Sequence, residues 1–379
     1  MTASPNILGG GYCALVCFLW IIAGLDYQSI VHKNTIMRRG KVIPKGVIFL
    51  RLAFLVLWFM AAFRGLDVTN DTNAYWRTYQ WIASYGVLGE SRMEIGFVGL
   101  CYLLSRIFQN PQTGFHVLLF LSASLSYYAL EQWIEKNAKT YGVCILTFYF
   151  LLNGSYMSAI RQSMAMGLVL LGLNQLGEKK YFRFLAFVAI AMLFHSSAIV
   201  ALVFIFFANK KYTRGSVMAI LGIAIITTAT NFVSRIVYLF RSDTAYTVGI
   251  VGNQTSVVAM SILFLSLILL RALVPSELLE EENDNNRAIG DDFYNYSIIT
   301  TLAITIMSLR APVLSRICSY FTLAGIPYIS NVMARIRDRR LAFVIKIIFC
   351  LAIWSYSLAV LILRPEWQHL WPYHFWWNS

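Results

Sequence analysis

The chain has 379 residues, 58% of them hydrophobic and only 13% charged, with a formal net charge of +13. An ordinary soluble domain carries roughly 25% charged residues, so a soluble globular enzyme is excluded; apolar runs of about 18 to 24 residues recur along the chain, as lipid requires. Lys and Arg sit in short clusters between those runs, where the positive-inside rule expects them, so the charge marks membrane topology and not a nucleic-acid partner.

From the N-terminus, the run at 8–25 has no Lys or Arg ahead of it and is expected to be the first span, not a cleavable signal. Further spans are expected at 47–63, 112–133, 141–157, 160–177, 215–233, 255–273, 294–309, 313–330 and 341–363. The apolar segment 95–108 makes only about 21 Å of helix against a hydrocarbon core of about 30 Å, which favours a re-entrant segment. The segment 184–208 has Lys179, Lys180 and Arg183 before it and Lys210, Lys211 and Arg214 after it, an inside signal on both flanks; a tight helical pair turning near His195 satisfies both. With no fixed repeat and no Pro-rich or Gly/Ser linker, residues 1–379 read as a single integral domain. The expected fold is all-α, a polytopic membrane protein of about 10 to 12 transmembrane helices, with an outer loop at 64–94 and an acidic cytoplasmic loop at 274–293.

These choices put every Lys-bearing loop (33–45, 136–139, 179–183, 210–214, 335–340) on one side and both termini outside. A spanning 95–108 with one long helix after Arg183 would instead place five basic residues of the Lys136 and Lys179 loops on the wrong face. On the outer face the basic residues are Arg64, Arg77, Arg92, Arg106, Arg161, Arg235, Arg241, Arg310, Arg316 and Arg364, with no Lys. Guanidinium forks bind diphosphate oxygens bidentately. Retention of Lys inside during insertion explains the same bias.

Several residues are candidates for chemistry. Asp67, Asp71, Tyr75 and Tyr79 in the outer loop join acidic groups to an aromatic ladder, which suits carbohydrate; an interfacial aromatic belt on a capped amphipathic helix is the structural alternative. Glu94 opens the 95–108 segment, where burial would raise its pKa and let it act as a base or hold a sugar hydroxyl; otherwise it complements a helix dipole. Arg161 and Gln162 stand between two apolar runs among Ser155, Ser158, Ala159 and Ser163. An Arg so placed marks a functional site or snorkels to headgroups. His195 at the expected turn is either a catalyst or a helix-to-helix hydrogen bond. Arg310 and Arg316, with Tyr320 one turn on, form a candidate diphosphate clamp.

The six cysteines, Cys13, Cys17, Cys101, Cys144, Cys318 and Cys350, lie inside apolar runs without a CxxC pair and read as small buried hydrophobes. No phosphate loop, dinucleotide fingerprint, HExxH or Cys/His cluster is present, so no metal and no cofactor is expected. Paired buried carboxylates and Gly/Pro-broken midplane helices, which favour an ion-coupled transporter, are also missing.

The pattern resembles the EpsG-type, Wzy-like polymerases of bacterial exopolysaccharide, capsule and O-antigen. The resembling marks run in order: Asp67 with Asp71-Thr72, Tyr75 and Tyr79; Glu94 with Gly96-Phe97; Arg161-Gln162; Phe194-His195 with Ser197-Ala198; Arg316 with Tyr320-Phe321; Pro372-Tyr373 with Phe375. Residues 233–311 match by hydropathy alone. The resemblance implies a GT-C-like, metal-independent glycosyltransferase of the bacterial cytoplasmic (inner) membrane. It would act on the outer face, moving a growing chain from undecaprenyl diphosphate onto the next lipid-linked oligosaccharide unit. Arg161, Arg316 and Arg310 would hold the diphosphate, Glu94 or His195 would serve the acceptor hydroxyl, and Asp67, Asp71, Tyr75, Tyr79, Gln162 and Tyr320 would position sugar. Expected partners are the lipid-linked oligosaccharide and membrane lipid, with a flippase and a chain-length regulator as candidates. Alternative readings are an oligosaccharide-lipid flippase or polysaccharide transporter, or a cell-envelope ligase or acyltransferase.

Overall fold

The computed structural model describes residues 10–31, 35–38, 41–86, 93–232, 235, 254–273 and 289–378. The expectations for Arg92, Arg241 and residues 274–288 of the acidic loop lie outside these. Lipid offers no water to exposed backbone groups, so apolar runs of this chain close their hydrogen bonds within helices. The described helices are α1 (Gly10–Val31), α2 (Gly46–Ala62), α3 (Thr72–Tyr85), α4 (Ile95–Ile107), α5 (Pro111–Asn137), α6 (Gly142–Leu151), α7 (Asn153–Ser158) and α8 (Ile160–Gly177). They continue with α9 (Tyr181–Phe194), α10 (Val203–Asn209), α11 (Arg214–Ala229), α12 (Gln254–Leu273), α13 (Asp291–Met307), α14 (Leu314–Ala334) and α15 (Arg339–Leu363). Four of them, α1, α5, α14 and α15, are long and apolar enough to cross a membrane, and the chain is an all-α, multi-pass membrane protein. An antiparallel hairpin of β1 (Thr35–Arg38) and β2 (Lys41–Pro44) is an addition to the all-helical expectation.

The main core is built on α8, which is buried on nearly every face between α5 and α9, and on α13 against α14. The expected uninterrupted span at 141–157 is corrected: α6 stops at Leu151 and the chain restarts as α7. Asn153-Gly154-Ser155 are weak helix formers. Asn153 instead accepts a hydrogen bond from the Tyr127 hydroxyl at 2.7 Å. The segment 184–208 folds as expected. Its helix breaks at His195, whose φ is −156°, and resumes as a 3₁₀ turn (Ser196–Leu202) and α10. The Tyr181 hydroxyl donates to Asn209 Oδ1 at 3.0 Å, so the two limbs lie side by side.

A second core forms where α3 and α4 pack on the first turns of α5 and α8, through Tyr79, Phe97, Phe115, Ile160 and Met164. Glu94, ahead of α4, meets Arg161 in the first turn of α8, and Phe108, after α4, meets Gly114 in the first turn of α5. Both ends of α4 therefore lie in one layer of the bundle.

That layer belongs to one of two distinct ends. At the other end the basic loops gather: Lys139 N–H donates to Asn331 Oδ1 (3.0 Å), Tyr296 donates to Lys211 O (2.9 Å), and Arg335 pairs with Asp291. The C-terminal segment 364–378 returns over the first end as a strap. It is fixed by Thr69 N–H to His369 O (2.9 Å), Gly65 N–H to His374 O (3.0 Å) and Trp376 N–H to Phe63 O (3.1 Å).

Candidate functional site

The anchor of the site is Arg64, which is 2% exposed. Its guanidinium donates to Ala61 O (2.5 Å), Met157 O (2.9 Å) and Thr72 Oγ1 (3.1 Å), tying the end of α2 to α7 and to the start of α3. A buried cation persists only when its donors find acceptors, and here each guanidinium nitrogen has one. Burial pulls its pKa down to about 10, which leaves it charged at neutral pH.

Beside it lies a charged cluster made of side chains from three separate elements. Glu94 pairs with Arg161, accepts from Ser196 N–H at 3.0 Å, and lies 3.1 Å from His195 Nδ1. Arg161 also sits over the Tyr75 ring, 5.8 Å from its centroid. Burial by itself raises the Glu94 carboxyl, but the His195 contact, the Ser196 N–H and the Arg161 charge outweigh it and hold the pKa at about 2. The expectation that burial leaves Glu94 with a raised pKa is therefore corrected. An acid this strong is a poor base; it is a fixed anion that orients an imidazole. Its acceptor oxygen at Nδ1 places the ring proton there and leaves Nε2 to accept.

On the other side of Gln162 is a polar cavity of about 270 Å³, lined by Asn70, Asp71, Ser158, Gln162, Arg316 and Trp367 among others. Its walls are stitched across elements: Gln162 Nε2 donates to Arg316 O (2.6 Å), Asn70 Nδ2 to Trp367 O (2.6 Å), and Asp71 N–H to Ser158 Oγ (3.2 Å). The Ser197 hydroxyl donates to Tyr320 at 3.3 Å, joining the His195 hairpin to α14. At Gly154 an added Cβ would run into Gln368, so a glycine there admits the strap.

The structure thus brings together Glu94, Arg161 and His195 in one cluster and Asp71, Gln162 and Arg316 around one cavity, with Tyr320 bridging. Four candidates lie elsewhere. Tyr79 is fully buried and packs on Phe115 at 5.8 Å, so its expected sugar contact is corrected to a core position. Tyr75, Tyr79 and Ile82 recur at helical spacing on the inner face of α3, and that period reads as core before it reads as a sugar platform. Tyr75 is likewise buried, against Phe97 at 5.5 Å and under Arg161. Asp67 is outside the cavity lining and pairs with His374 of the strap at 2.5 Å. Arg310 is exposed in the turn before α14, also outside the lining.

Sequence reasoning passed over Trp367, and met Asn70, Ser158 and Ser196 only as neighbours of its candidates, Asn70 as an amide beside Asp71. Ser196 acts through its backbone N–H and Trp367 through the return of the strap, and neither leaves a local motif. The small residues around Arg161 were a signal for Ser158. Among the described residues no group of three or more His, Cys, Asp and Glu is placed to hold a metal ion.

Residues 47–375 match the model of the EpsG family. No curated protein and no solved structure matches the chain.

Proposed function

The chain belongs to the EpsG family, and from that premise we propose that it is a Wzy-like polysaccharide polymerase. In this reading it joins oligosaccharide units carried on undecaprenyl diphosphate at the outer face of a bacterial cytoplasmic membrane. The observation that carries the reading is a single carboxylate, Glu94, holding both Arg161 and His195 beside a polar cavity within an apolar bundle.

His195 Nε2 takes the proton of the acceptor hydroxyl, while Glu94 fixes the ring and steadies the imidazolium that forms. The acceptor oxygen bonds to the anomeric carbon of the growing chain as the bond from that carbon to the lipid diphosphate breaks. Arg161 and Arg316 neutralise the departing diphosphate. Asp71, Gln162 and the Trp367 wall hold sugar, whose hydroxyls need acceptors and whose C–H faces stack on rings. The 10 to 12 spans, the re-entrant α4 and the outward placement of this end belong to the same proposal.

The test is a reaction of purified protein in liposomes with native lipid-linked units, resolved by gel. A ladder is expected, and Arg161→Ala should abolish it with the protein level unchanged. Folded protein that moves the lipid-linked unit across the bilayer without lengthening it would replace this reading with transport.

A further inference from the structure

We propose that the groove between α2 and α5, at the lysine-rich end, binds a phospholipid whose headgroup carries a primary ammonium. The groove is about 570 Å³, and its wall runs from a charged mouth, Arg51 and Glu131, over Phe54 and Leu55 to Trp58 and Ser124. It opens outward from the bundle, for Leu55 and Tyr128 in its wall are 55% and 57% exposed.

The charges at the mouth do not balance. Arg51 Nη2 donates to both oxygens of Glu135, at 3.0 and 2.9 Å, and Glu135 stands outside the groove wall. Glu131, one turn earlier on the same face of α5, has Arg51 Nε only at 3.4 Å, longer than a good charge-assisted hydrogen bond. Two carboxylates thus share one guanidinium, and the one that lines the groove holds the weaker share. A carboxylate among apolar side chains needs a countercharge and donors, and a primary ammonium brings both. Arg51, whose side chain is still 37% exposed at the same mouth, answers the phosphate two carbons from that ammonium, so both charges of the headgroup find their complement.

Depth selects a lipid as the carrier of that chemistry. Arg51 lies five residues after the start of α2 and Glu131 six before the end of α5, about 8 and 9 Å of helix from the lysine-rich end, where headgroups give way to acyl chains. From there the groove follows both helices inward for seven residues, about 10 Å, until Trp58 Nε1 donates to Ser124 Oγ across it at 3.0 Å. A charged mouth followed by a short apolar wall matches one lipid of one leaflet. A partner helix would need a track along the whole of α2. This site is independent of the glycosyl-transfer reading and stands or falls without it.

Native mass spectrometry of the purified full chain in detergent tests it, with phosphatidylethanolamine, phosphatidylglycerol and phosphatidylcholine as probes; the quaternary ammonium of the last has no N–H. Phosphatidylethanolamine should be retained about tenfold over the other two, the size of one charge-assisted hydrogen bond. Glu131→Gln, which keeps the shape of the side chain but loses the anion, should erase that preference. Independently of any variant, phosphatidylethanolamine with a diazirine on its acyl chain should, on irradiation, label α2 between Arg51 and Trp58. Equal retention of the three lipids overturns the proposal, as does a preference that survives Glu131→Gln. Label spread evenly over the membrane-facing helices, or a second polypeptide retained in place of lipid, overturns it too.

Discussion

The two ends of the bundle use their buried polar side chains differently. At the lysine-rich end, the Arg335–Asp291 pair and the charges at the mouth of the α2–α5 groove aside, they satisfy backbone: Asn331 Nδ2 donates to Asn137 O (3.0 Å), Ser330 Oγ accepts from Thr140 N–H (2.7 Å), and Asp26 caps α6. At the opposite end Glu94, Arg161 and His195 bind chiefly one another, next to a cavity. Backbone partners cannot be exchanged without unwinding a helix, so the first arrangement is scaffold. Charged side chains can trade one another for a substrate's charges, so the second is the arrangement that the proposed site needs.

This contrast is breakable. The largest effect is expected at His195: His195→Ala should slow chain extension by roughly 10²- to 10⁴-fold, read from the ladder, with protein level unchanged. Extension at the original rate would reduce the cluster to scaffold. Next comes pH. Glu94 titrates at about 2 in the folded protein against an ordinary 4.5. A carboxyl depressed by folding stabilises fully above its unfolded pKa and loses that contribution as pH falls toward the folded one. The difference in thermal stability between the native protein and Glu94→Gln should therefore shrink as pH falls below about 4.5 toward the folded value of about 2. A difference that stays unchanged as pH falls from about 4.5 to about 3 would mean that Glu94 is not the fixed anion described.

Smaller effects sharpen the other side. Asn331→Leu removes a donor to Asn137 O and an acceptor for Lys139 N–H, and should cost about 1–3 kcal/mol of stability in detergent unfolding, with the rate per folded molecule unchanged. A selective loss of rate there would couple the two ends. Asp67→Asn, at the exposed pair with His374, should change stability by less than about 1 kcal/mol. A larger loss would make the strap, rather than Arg64, the fastening of the site.

Much of the helix content was legible because apolar run length and basic clusters act locally. The 160–177 run became α8 without a residue's change, and the paired inside signals around 184–208 called for the hairpin that Tyr181 and Asn209 close. The break at Leu152 was less legible, since hydropathy is blind to the hydrogen bond Asn153 gains from Tyr127. In the site, Glu94, Arg161 and His195 were each visible as charged or polar residues that lipid tolerates only for a reason. Tyr79 was misread because aromatic composition was weighed ahead of its helical period.

By itself, then, the sequence determined an all-α membrane chain and the apolar runs that form its helices, because those follow from the local cost of placing each residue in lipid. Only the tertiary structure decided which polar residues meet. Glu94 lies 67 residues from Arg161 and 101 from His195, and the sign of its pKa shift depends on both contacts. Asn70 meets the Trp367 carbonyl across 297 residues. Such pairings are set by how helices pack, and one-dimensional periodicity carries no record of them.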